Sequence, residues 1–259
     1  MKKQKQIMIL LMMIISISCS NINRNEKVQE NEEESEWNKI KNSSDFCMFF
    51  DFALKTKDST LLNQCIDTLD ELILAKQDLV LHYYEFYDFD NDSFIKKIAF
   101  EDLRNKNVDY WKRNAFLFKI DSFNQVTAFY RDSLIQNYCS ELLYLFETKK
   151  ISNHFPEVIN LSYKGRDYYS KKLVIFIETQ TYSDKTNNKP LWLTIFTIIT
   201  EVKNTVDMVK QNKAIELYNT GYKELNSERR NIIDGVIPLW VSIYFRPFSI
   251  PPSPNLQDK

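Results

Sequence analysis

The sequence predicts an α+β fold in which a helical N-terminal half packs on a small antiparallel sheet from the C-terminal half. Three observations carry that expectation. Apolar residues recur at three- and four-residue steps over 58–79 and again over 122–145, which is the spacing of a helix stripe. Three later runs, 173–182, 191–200 and 239–245, are rich in β-branched and aromatic residues, which suit a pleated, half-buried surface. The chain is 44% hydrophobic and 14% aromatic, so its 259 residues can build a real core.

The first of these helices is expected at Asp58-Ser59-Thr60, an N-cap ahead of Leu61, Leu62, Cys65, Leu69, Leu72, Ile73 and Leu79. Phe94 to Leu103 and Val108 to Lys119 read as further helices. The strongest helix signal begins at Asp121-Ser122, where Ser122 and Gln125 can form a capping box. Phe123, Val126, Tyr130, Leu134, Tyr138, Leu142 and Leu145 then keep the period. After Pro156 the runs LVIFIETQTY (173–182) and LWLTIFTIIT (191–200), separated by SDKTNNK, read as a hairpin apolar on both faces. Residues 201–228 carry helical spacing with a break expected at Gln211-Asn212-Lys213. Leu239 to Phe245 alternates as a third strand, and Pro247, Pro251, Pro252 and Pro254 end the ordered part. The expected organisation is one α+β domain over 37–250, helical over 42–155 and mixed over 156–250, followed by a Pro-rich tail at 251–259.

The N-terminus has a layout of its own. Lys2, Lys3 and Lys5 form a basic head, Ile7 to Ile15 an unbroken apolar run, and Ser16-Ile17-Ser18-Cys19 a small-residue exit. This is the pattern of a secretory signal peptide, and its apolar run is far short of the ~20 residues of a membrane-spanning helix. A signal ending at a cysteine resembles the lipobox of bacterial lipoproteins, with Ser16 where that box usually has Leu. The resemblance covers residues 1–20. It implies cleavage after residue 18, lipid on Cys19 and residence at the cell envelope, with the outer membrane favoured. Two or three acyl chains hold a protein where one binds only marginally.

Residues 20–36 carry six Glu against Arg24 and Lys27, with Ile22 and Val28 as their aliphatic residues. Such a stretch buries too little to offset its ordering entropy and reads as an acidic tether over 19–36. With the three lysines of the signal removed, the body from Trp37 onward is formally neutral. It lacks the basic footprint that nucleic-acid binding needs. Gly165, Gly221 and Gly235 are the three glycines, too scattered for a phosphate-cradling loop, so no nucleotide site is expected.

Little in the sequence carries chemistry. Asp88, Asp90 and Asp92 alternate like the first ligands of an EF-hand loop, but Ser93 replaces the turn glycine and Ala99 the bidentate Glu. A solvated acidic loop between helices is the better reading, with no metal and no cofactor. His82 and His154 are the two histidines, and neither stands near a recognisable nucleophile motif. Glu178, inside an apolar strand, is the one acid with neighbours able to bury it. Cys65 reads as a buried small hydrophobe, although a Cys47–Cys65 bridge is open to an exported chain. Tyr83, Tyr84 and Tyr87, with Asp88, Asp90 and Asp92, form the expected partner-facing surface, because so dense a run of aromatics leaves some exposed.

The leading expectation is therefore an envelope lipoprotein acting as a non-enzymatic protein-binding module, of which an immunity protein is one version. Its partners would be the membrane, through Cys19, and another protein. A glycan or peptide hydrolase using unidentified carboxylates, and a structural subunit of an envelope complex, are the rivals.

Overall fold

A computed structural model describes residues 32–41, 46–74, 79–102, 114–148, 154–182 and 188–247. Cys19, residues 1–18 where a signal peptide is expected, most of the acidic stretch and the tail at 251–259 lie outside the described residues, as does the side chain of Cys47. The chain forms two compact units, Met1–Leu69 and Asp70–Lys259.

In the first unit, helix α1 spans 32–40 and α2 spans Phe46–Lys55, and the unit closes with the first turns of α3 (Ser59–Leu74). α1 thus begins inside the stretch read as a tether. Trp37 of α1 meets Phe49 and Phe52 of α2 at ring distances of 6.0 and 5.5 Å. Glu33 accepts hydrogen bonds from the Thr56 hydroxyl and from the amides of Lys57 and Asp58. Asp58 caps α3 by accepting from the amides of Thr60 and Leu61, at 2.7 and 3.0 Å. Cys65 is a fully buried thiol donating to the Phe49 carbonyl, and burial pushes its pKa up to about 12.

The second unit is built on a seven-stranded sheet. Its strands are β1 (Leu79–Asp88), β2 (Ser93–Asp102), β3 (Ala115–Ile120), β4 (Val126–Tyr130), β5 (Ser133–Ile135), β8 (Val174–Tyr182) and β9 (Leu239–Pro247), in the order β2-β1-β9-β8-β3-β4-β5. β9 pairs antiparallel with β1 and parallel with β8, and β8 parallel with β3; the remaining neighbours are antiparallel. A separate hairpin joins β6 (Val158–Tyr163) to β7 (Arg166–Lys171). The helices are α4 (Tyr138–Glu147), α5 (Lys189–Tyr218) and α6 (Ser227–Val236), with a 3₁₀ turn at Tyr222–Glu224.

This corrects the expected arrangement. The fold is α+β, but the helices do not gather in the N-terminal half and the sheet is neither small nor wholly antiparallel. Residues 79–102 are a hairpin, because Leu81, Tyr83 and Tyr87 alternate with His82, Tyr84 and Phe86 and the pleat sends alternate side chains to opposite faces. The acidic loop therefore joins two strands, not two helices.

The helix expected from Ser122 is instead a β-meander followed by the short α4. Asp121 takes the amides of Phe123 and Gln125 on one carboxylate oxygen, Asn124 adopts a left-handed φ of 59°, and the chain turns back. Arg131 and Asp132, at φ 52° and 67°, make the second turn in two residues. Phe123 and Leu134, counted in the helical stripe, are 81% and 61% exposed.

The run expected as a strand at 191–200 is the first third of α5. Pro190 sits in its first turn, and Thr194 and Thr197 return their hydroxyls to carbonyls four residues back. Leu191, Trp192, Ile195, Phe196, Ile198, Ile199, Val202, Val206 and Val209 are buried at helical spacing. A helix buried on most sides and a strand buried on two faces show the same apolar run. The helix continues through Gln211-Asn212-Lys213 to a left-handed cap at Asn219.

The sheet's first face is the core: Leu81 and Tyr83 of β1, Val241 and Ile243 of β9, Ile175 and Ile177 of β8, and Phe116 and Phe118 of β3. α5 crosses it, with Trp192 against Phe245 at 5.3 Å and Lys203 reaching Tyr83 and Glu85. α4 lies on the same face, with Tyr138 against Phe118 at 5.1 Å.

Candidate functional site

A well-formed concavity among the described residues lies in the second unit. It is a cavity of about 670 Å³, within the range of sites that take a small molecule or a large anchoring side chain. Four pieces of chain far apart in sequence meet there. The C-terminal end of α4 supplies Phe146, Glu147 and Thr148, and the hairpin supplies Val158, Tyr169, Ser170 and Lys171. The second half of α5 contributes Val209, Asn212, Lys213, Glu216 and Leu217, and Val236 and Ile237 complete the wall.

The walls are mostly apolar and the polar groups stand in pairs. Asn212 donates to Glu147 at 2.6 Å, and Lys213 pairs with Glu216 at 3.0 Å. Burial holds the Lys171 ammonium below the usual lysine pKa. Tyr169 is 65% exposed and Leu217 40%, so apolar surface continues outward from the cavity. This arrangement offers shape, apolar contact and charges of both signs, which is the chemistry of binding.

The residues expected to face a partner do not share one surface. Tyr83 is 1% exposed and sits under α5, with its hydroxyl donating to Glu85. Tyr87 is buried as well, while Tyr84 lies on the opposite face beside Trp240. Asp88 organises the β1–β2 turn by accepting from the Asp90 amide and the Asn91 side chain. Asp90 is exposed at the tip. Asp92, at a left-handed φ of 48°, accepts from the hydroxyls of Tyr87 and Tyr163 at 2.6 and 3.0 Å. Those two bonds hold its carboxyl below the ordinary aspartate range. The alternating aspartates thus serve a turn, and Phe89 within it packs on Tyr163 at 4.8 Å.

The remaining candidates resolve individually. Glu178 is buried and paired with Lys119 on the neighbouring strand, at 3.8 Å. His154 meets Arg131 at 2.7 Å. His82 stands 2.9 Å from the Ser242 hydroxyl, across the β1–β9 pair and stacked on Tyr84. Among the described residues, no three His, Cys, Asp or Glu come together as metal ligands.

No family model, curated protein or solved structure matches this chain. The cavity therefore has to be read on its own chemistry. Of the residues that line it, sequence reasoning singles out Tyr169, which with Tyr168 is a weaker case of the exposed contact aromatics expected at Tyr83, Tyr84 and Tyr87. The rest are ordinary members of four separate elements.

Proposed function

We propose that this protein is a lipid-anchored envelope protein whose second unit is a non-enzymatic module for binding another protein. The observation that carries the reading is the apolar cavity between α4, α5 and the β6–β7 hairpin, rimmed by Tyr169, Leu217, Lys171 and Lys213. A concave apolar patch with a polar margin is where binding energy concentrates, because one buried anchor excludes water while the rim sets orientation. No helix among the described residues is long and apolar enough to cross a membrane. Attachment is assigned to lipid on Cys19.

Two substitutions test the module. Leu217→Glu places a charge at the mouth of the cavity, whereas Leu193→Glu, also on α5 and 41% exposed, does so at a residue that does not line it. A partner retained from envelope extract should be lost on the first change and kept on the second. Equal retention by both would remove the cavity from the binding site. Cys19→Ser should abolish incorporation of labelled palmitate and release the chain from the membrane fraction.

A hydrolase working through the His82–Ser242 pair, rather than through the carboxylates expected from the sequence, is the second reading. It predicts that Ser242→Ala abolishes turnover of an envelope ester or peptide; an unaffected rate would end it.

A further inference from the structure

The edge of β7 says what kind of segment the cavity receives. Resting on the binding-module reading, we propose that the partner supplies an extended peptide segment. It pairs as a strand with the outer edge of β7 and places an apolar side chain in the adjoining cavity.

The ladder phase shows which backbone groups are available. Opposite residues in an antiparallel pair alternate between hydrogen-bonded and non-bonded. The Lys172 amide donates to the Glu157 carbonyl at 2.8 Å, which makes that pair bonded. With Ile159 opposite Ser170 and Leu161 opposite Tyr168, these pairs are bonded too, down to the two-residue turn at Lys164-Gly165. Asp167, Tyr169 and Lys171 are then the β7 residues whose N–H and C=O point away from β6. The hairpin is a two-stranded sheet, so among the described residues β7 has no second neighbour in the ladder. Among the described residues, nothing hydrogen-bonds the backbone of Tyr169 or Asp167.

The cavity lies along that edge. Tyr169, Ser170 and Lys171 all line it, although consecutive side chains of a strand point to opposite faces. A cavity that touches three residues in a row meets the strand from the side. An incoming strand would therefore find donors and acceptors at Tyr169 and Asp167, and an apolar recess flanking them. Strand addition of this kind takes affinity from the main chain and specificity from alternate side-chain pockets. The rim of Lys171, Lys213, Glu147 and Glu216 carries both signs, which suits a peptide better than a lipid headgroup of one charge. The sheet edge at β2 differs, since exposed Lys96 and Lys97 guard it.

The test uses the full chain, immobilised in detergent, and a displayed library of short random peptides. Enriched sequences should carry apolar residues two positions apart. A synthetic winner should slow hydrogen exchange at the Tyr169 amide and lose at least tenfold in affinity when its alternate amides are N-methylated. Tyr169→Pro removes the outward N–H without touching the β6 ladder and should cause a similar loss. Tyr169→Ala keeps the N–H and should cost less. Binding that survives both N-methylation and Tyr169→Pro would overturn strand addition while leaving the cavity as the site, provided that Leu217→Glu still blocks it. Should the library give no binder but oleate bind in a Leu217-dependent way, the occupant is a lipid chain and this proposal fails. If neither binds, the binding-module reading fails with it.

Discussion

Gly235 shows how a single residue holds the second unit together. A methyl group at Gly235 would lie 2.3 Å from the tip of the Phe89 ring. That ring cannot easily retreat, because Tyr87, Tyr163 and Tyr168 surround it at 5.8, 4.8 and 6.5 Å. Gly235→Ala should therefore destabilise by about 1–3 kcal/mol, the usual cost of overpacking. Adding Phe89→Leu should recover part of it, a coupling that chemical denaturation of the four variants can measure. A second test at this scale lies one residue earlier. Lys210 and Asp234 are buried with 6% and 7% of their side chains exposed and meet at 2.8 Å, and Tyr222 donates to the same carboxylate. Asp234→Ala strands the Lys210 charge and should cost about 3–5 kcal/mol. The double change Lys210→Met with Asp234→Leu should be far milder, and comparing their thermal midpoints decides it.

Among the elements, β7 offers the cleanest contrast. Tyr169→Pro removes an N–H that faces away from β6, so its cost should stay within about 1 kcal/mol, as for proline on a strand edge. Ser170→Pro takes a ladder bond from the Ser170–Ile159 pair and should cost about 3 kcal/mol or more. Equal costs would mean that the phase assigned to this hairpin is wrong. α5 is the element whose start is held from outside its own sequence. Its N-cap Asn188 makes no side-chain capping bond, and the first turn is tied down instead by Asp70, which accepts from the Asn188 side chain at 3.1 Å and from the Trp192 indole at 3.0 Å.

For the whole molecule, β9 closes the sheet last in sequence while standing between β1 and β8. A chain stopped after Pro238 should therefore lose cooperative unfolding of the second unit, since β1–β2 and β8–β3 would no longer share a neighbour. Circular dichroism through a thermal ramp would show it, and a sharp transition near the native midpoint would contradict the strand order. The pH profile is also a property of the whole. Burial raises the Glu85 pKa, but Lys203, the Tyr83 hydroxyl and Lys210 together outweigh it and leave it lowered. Asp88, Asp92 and Glu228 are lowered as well, by Asn91, by Tyr87 and Tyr163, and by Lys164. Carboxyls depressed in the fold contribute stability above their ordinary values near about 4 and lose it as the pH falls through the folded values. On the alkaline side, the Asp92 carboxylate pushes Tyr87 up to about 12 and burial does the same to Tyr130. Their contribution is complete below the ordinary tyrosine value of about 10 and is lost as the pH rises towards 12. Melting temperature should thus hold between these limits and fall on both sides.

Local patterns were enough to place α3, β8 and β9. Asp58 heads a helical stripe, and the apolar runs at 174–182 and 239–247 form strands. Glu178, the strand acid whose neighbours were able to bury it, is buried and pairs with Lys119. Tertiary structure decided the rest. A period of three or four residues in 122–138 was coincidental, because Asp121, Asn124, Arg131 and Asp132 turn the chain through side-chain acceptance and left-handed backbone. The run at 191–200 became helix because the core of the sheet needed a helix across it, and hydrophobicity alone is silent on that choice. The cavity was beyond reach for a related reason: α4, β7, α5 and residues 236–237 each contribute a few ordinary side chains, and nothing in any one of them announces the space they enclose. A sequence records which residues want to be buried, but a site made by distant elements exists only once those elements have met.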